Sequence, residues 1–145
     1  MTGTSAAALQ TSFASSDAQL RAAEAELCAA YVALSESTPL EALKLGTEEE
    51  GMDFGQIRYL RSILPEAAPI YVKIGGPCAK ADIRQAYEVG AVGLVAPMVE
   101  SVYGLQRFIE ASEPAAGGKI VRAFNMETIT AYESLGELLA SPWAA

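Results

Sequence analysis

The sequence predicts an α/β fold in which one N-terminal helix precedes about four strand–helix units, their strands parallel in one sheet. Three observations predict it. Four apolar runs recur at regular spacing: "ALKLGT" (42–47), "PIYVKIGG" (69–76), "VGLVAPMV" (92–99) and "KIVRAFNMET" (119–128). A stretch with apolar residues at helical spacing follows each run, which gives the crossover that parallel pairing needs. The longer runs are apolar almost throughout, as strands are when both faces are covered.

Taken in order, residues 1–16 are a candidate disordered lead-in, and residues 17–145 form one domain. Asp17 to Leu34 is expected to be a single Ala-rich amphipathic helix, with "SESTP" as the linker to the first strand. After that strand, Asp53 can cap a helix whose Ile57, Leu60 and Leu64 make one stripe before Pro65 ends it. "AKADIRQAYEVG" presents Ile83, Ala86 and Tyr87, with Gly90 as a C-terminal cap. "SVYGLQRFIEA" starts at Ser101 and aligns Leu105, Phe108 and Ile109. "TITAYESLGELLAS" offers Ile129, Tyr132, Leu135 and Leu139 before Pro142. Two architectures satisfy this α-(βα)4 pattern: a small open, flavodoxin-like sheet, or half of a (β/α)8 barrel, which when complete takes about 250 residues.

Composition narrows the function. The 145 residues are 51% hydrophobic, ample for a core, and carry a net charge of −8 with pI near 4.5. That charge argues against a nucleic-acid phosphate surface or an anionic membrane, while leaving room for a local site that takes a small anion. The apolar runs are far shorter than the ~20 residues of a membrane span, and the start lacks the features of a secretion signal. There is no His, so a Ser-His-Asp triad, a Cys–His nucleophile and a His-bearing zinc site are excluded. Cys28 and Cys78 form no CxxC; Cys28 reads as a small core residue, and a reduced, cytoplasmic protein is expected.

Chemistry in parallel βα folds collects at the C-terminal ends of the strands. There the sequence places Glu48, Glu49 and Glu50, then Lys73 and the Gly75–Gly76 turn, then Glu100, then Asn125 and Glu127. Hard oxygen donors of this kind suit Mg²⁺ or Mn²⁺. Plainer readings compete. "EEE" can be a solvated loop, Glu100 can serve the start of a helix, and Gly75–Gly76 can be a tight turn, since no GxGxxG or Walker pattern follows. Lys73, which interrupts an apolar strand, can be a structural ion pair rather than an anion ligand.

"LKLGTEEEGMDFGQIRYLRSI", "VKIGGPCAKADIRQAYEVGAVGLVAPMVES" and "FNMET" together resemble the HpcH/HpaI aldolase/citrate lyase family, over about Leu43 to Leu139 and in the family's order. The resemblance implies a partial TIM (β/α)8 barrel and a carbon–carbon lyase working through a metal-stabilised enolate of a 2-oxo acid or acyl-CoA thioester. It places the metal ligand at Glu127, followed by Thr128, with Mg²⁺ or Mn²⁺ as the ion. Lys73 stands where many members have the Arg that binds substrate carboxylate, and an amine lacks that bidentate grip. Catalytic roles fall on Lys73 and Glu50, and substrate contacts on Lys73, Gly75, Gly76, Glu48 and Glu100. The family's second metal carboxylate is an Asp in a "G-R-x-D-L"-like strand. The sequence stops at "SPWAA" before such a strand, so a truncated enzyme with an incomplete metal site is expected. Its ligand would be a small carboxylate or acyl-CoA, and a second copy or complementing chain could complete the barrel. The competing reading is a non-catalytic remnant, a binding module or an inactive fragment.

Overall fold

The four apolar runs pair side by side, each strand satisfying the backbone of its neighbour. The structure, a computed structural model, describes residues 6–113 and 120–144. It runs α1 (Ala6–Ser37), β1 (Leu43–Gly46), α2 (Phe54–Ile63), β2 (Ile70–Lys73), α3 (Lys80–Glu88), β3 (Gly93–Ala96), α4 (Val102–Ser112), β4 (Val121–Phe124), α5 (Ile129–Glu133) and α6 (Leu135–Ala140). The strands are parallel and lie side by side in sequence order, β1-β2-β3-β4. That order has no reversal, unlike a flavodoxin-like sheet, so the doubly wound alternative is corrected.

Register divides the sheet into two unlike faces. Leu45 aligns with Val72, Val72 with Leu94, and Ala96 with Phe124. These positions meet Ile57 of α2, Ile83 of α3, Phe108 of α4 and Leu138 of α6 in one apolar cluster. The helices that pack on the sheet therefore lie on one side of it. The opposite face carries Lys44, Tyr71, Lys73, Val95 and Ala123 by alternation. Gly93 belongs to that face because a Cβ there would stand 2.6 Å from the Tyr71 ring.

Each strand is shorter than its apolar run, and the stops have local causes. Gly75–Gly76 turns the chain after β2. After β3, Pro97 has no N–H to donate, and Met98 takes a left-handed φ of 56°. The expected caps form. Asp53 and Gln56 make a reciprocal capping box on α2, Ser101 accepts from the Gly104 amide on α4, and Gly90 closes α3 at φ 74°.

Two helices differ from expectation. α1 extends past both ends of 17–34, and residues 1–5 of the candidate lead-in lie outside the described residues. It is not amphipathic in the expected way. From residue 16 onward only Glu24, Cys28 and Tyr31 are half-buried, while Leu20, Leu27 and Leu34 are exposed, so Cys28 is no core residue. The narrow 24–28–31 stripe is all that one helix lying on α2 can cover. The last helix breaks at Ser134 into α5 and α6 and buries Ala131 and Leu138. Ile129, Tyr132 and Leu139 of the expected stripe are exposed, and among the described residues no strand pairs with β4 on its outer side. Among the described residues no helix is long and apolar enough to cross a membrane.

This register makes a stability prediction. Phe108→Ala, at 1% exposure, should cost about 3–5 kcal/mol in urea unfolding. Ile129→Ala, at 70% exposure, should stay within about 0.5 kcal/mol of the parent. A large loss at Ile129 would mean that α5 is turned the other way.

Candidate functional site

The C-terminal ends of β1, β2 and β4 converge on one ammonium group. Lys73 ends β2 on the face away from the helices and is only 1% exposed. Its Nζ lies 2.8 Å from Glu48 Oε2 in the segment after β1, and 2.9 Å from Glu127 Oε1 just beyond β4. Glu49 stands further off at 3.6 Å, with a side chain 76% exposed. Asn125 Nδ2 donates to the same Glu127 oxygen at 2.7 Å, and the Met98 backbone lies close enough to help lower this carboxyl. Met98 is the one described non-glycine residue with positive φ, so a strained backbone lies against the site.

Protonation follows from these contacts. Hydrogen bonds to Glu48 first, and to Glu127 second, raise the Lys73 pKa against the opposing effect of desolvation. Lys73 therefore remains a cation and is no candidate for a neutral amine nucleophile. Glu127 is lowered, chiefly by the Lys73 hydrogen bond and then by Asn125. Three carboxylates face one ammonium, which leaves an excess of two negative charges at the rim.

The remaining sequence candidates have other partners. Glu50 does not join Lys73; it pairs with Lys44 at 2.7 Å, which lowers its carboxyl, and its side chain lies against Gly46 where any Cβ would collide. The Gly75 N–H donates to Asp82 Oδ2 at 2.8 Å, and Thr47 Oγ1 donates to the same oxygen at 2.9 Å. That amide is thus taken by the protein itself. Glu100 accepts from Thr128 Oγ1 at 2.6 Å, and Thr128 in turn caps α5. Sequence reasoning missed Asp82 and Met98. Asp82 sits within a helix-forming stretch, and the one hint at Met98 is the Pro before it.

A site of this kind can bind a cation, or bind an anion after one carboxylate turns aside. Among the described residues, no three acidic, cysteine or histidine side chains form a group able to hold a metal ion. The carboxylates point at the ammonium instead of at a shared vacant centre. Comparison with known proteins finds no family model that matches the chain, and no match among curated proteins.

The pH dependence of the cluster has a definite sign. Glu127 titrates below its ordinary 4.5, so its contribution to stability is present above that value and is lost as pH falls through the lowered pKa. Lys73 titrates above its ordinary 10.5, so its contribution holds below that value and is lost as pH rises through the raised pKa. The stability gap between the parent and Glu127→Gln should therefore be flat from about pH 6 to pH 9 and shrink below about pH 4.5. Denaturant midpoints across this range measure it, and a gap that widens in acid would reverse the assignment.

Proposed function

We propose that this rim is a carbon–carbon lyase site of the aldolase/citrate lyase type, acting on a small 2-oxo acid or an acyl-CoA thioester. The observation that carries the reading is the bridging of Glu48 and Glu127 by Lys73. These are the positions to which the resemblance assigns the substrate, metal and carboxylate contacts. In this reading the one-sided sheet is part of a (β/α)8 barrel.

The donors are hard carboxylate oxygens of the kind divalent ions take, but as arranged they pair with Lys73, so an ion would require Glu48 and Glu127 to turn from the ammonium. Glu127 would hold Mg²⁺ or Mn²⁺, with Glu48 beside it. The ion would supply positive charge where negative charge develops on substrate oxygens. Lys73 would release a carboxylate and hold the substrate carboxylate as a point charge. Glu50, lowered by Lys44, is poorly matched to a general base near neutral pH, so its role is to support Lys44 and the loop. A second copy or a separate chain would pair with the edge strands β1 and β4; beside β4, Val121, Met126 and Ile129 are exposed.

One observation favours a second reading, a non-catalytic binding module. The Lys73 ammonium already has two carboxylates within 2.9 Å, as a structural strap would. Titration of Mn²⁺ with an assay for pyruvate release from 4-hydroxy-2-oxo acids, or for acyl-CoA cleavage, separates the two. The lyase reading expects metal-dependent turnover that falls at least a hundredfold in Glu127→Gln while the fold is retained, a typical effect of removing a charge-stabilising group. Absence of turnover at every metal and protein concentration would favour the binding module.

A further inference from the structure

On the opposite side of the sheet, away from the carboxylate rim, a cavity of about 340 Å³ opens between β4, α4 and the C-terminal end of α6. Phe108, Ile120, Phe124, Leu139 and Trp143 are among its walls, and Arg122 is the cation within it. Arg122 aligns with Leu94, which is fully buried on the helix-facing side of the sheet, but on the edge strand β4 the arginine itself is exposed.

That guanidinium is oriented but not neutralised. Its Nε donates to Ser112 Oγ at 2.7 Å, and Ser112 is itself fully buried, with its carbonyl accepting from Tyr87 Oη at 2.7 Å. Among the described residues, no carboxylate lies within ion-pair distance of Arg122. Among the described residues this bond through Nε is the one Arg122 makes, and it leaves both terminal nitrogens for a planar acceptor, the geometry in which Arg grips a carboxylate. The cavity volume lies in the range of small-molecule sites.

We propose that this cavity binds an amphiphilic monocarboxylate, its acyl chain or aromatic ring against Phe108, Phe124 and Trp143 and its carboxylate on Arg122. The site does not depend on the rim and stands whether or not the lyase reading holds.

The chain has one tryptophan, so Trp143 reports occupancy directly. Octanoate below its aggregation concentration should change Trp143 fluorescence saturably. Neutral 1-octanol should bind about tenfold more weakly, because it gives up one charge-assisted contact. In Arg122→Gln, with circular dichroism unchanged, octanoate should fall to the octanol level. If that variant does not fold, the octanoate-to-octanol ratio on the parent protein decides alone. No saturable change with octanoate, or equal binding of the two, overturns the proposal and leaves Arg122 as an edge cation reaching for solvent.

Discussion

The ammonium of Lys73 ties three strand ends into one rim, and the architecture around it depends on how that charge is satisfied. A lysine with 1% exposure cannot stay ionised without partners, since desolvation opposes the charged form. Glu48 and Glu127 satisfy it from opposite ends of the sheet. β1, β2 and the edge strand β4 are therefore coupled by electrostatics as well as by their ladders. Loss of one carboxylate would leave the cation partly uncompensated, which costs more than the pair itself contributes.

Around this cluster the open face of the sheet is organised by close approach. Glu50 can fold back to Lys44 only because Gly46 offers no side chain, and Tyr71 can lie across β3 only because Gly93 offers none. Both contacts lie on the face without helices. Asp82 works from the layer of helices, joining Thr47 to the Gly75 turn and fixing the segment from which Glu48 reaches inward. The rim is thus held by contacts that differ in kind and do not compete.

The βα repeat and the caps at Asp53, Ser101 and Gly90 were legible because each rests on local pattern, and so was the placement of Lys73 near a carboxylate at the strand ends. Lys73 and Glu127 stand out as charged residues at the ends of apolar runs, and parallel topology then brings such ends together. Glu50 was not separable from Glu48, since three consecutive glutamates carry no periodicity and their partners are set by tertiary contacts. The α5 stripe failed for a different reason. Ile129, Tyr132 and Leu139 have helical spacing, but spacing does not say whether a neighbour exists to cover them. Met98 was hidden because its left-handed backbone follows from the loop it closes and leaves no mark on its own side chain.

The placement of Glu127 has a consequence for the whole site. It follows β4, which pairs with β3 alone, as Glu48 follows β1, which pairs with β2 alone, so both carboxylates that Lys73 requires lie beyond edge strands. The Lys73–Glu127 pair, the Asn125 bond and the Met98 backbone all converge on the Glu127 carboxylate. Each adds a restraint at the end of the strand that the sheet supplies on one side only. Occupation of its free edge would reduce the freedom of β4 and fix Glu127 more tightly, while loss of Glu127 would loosen β4 in return.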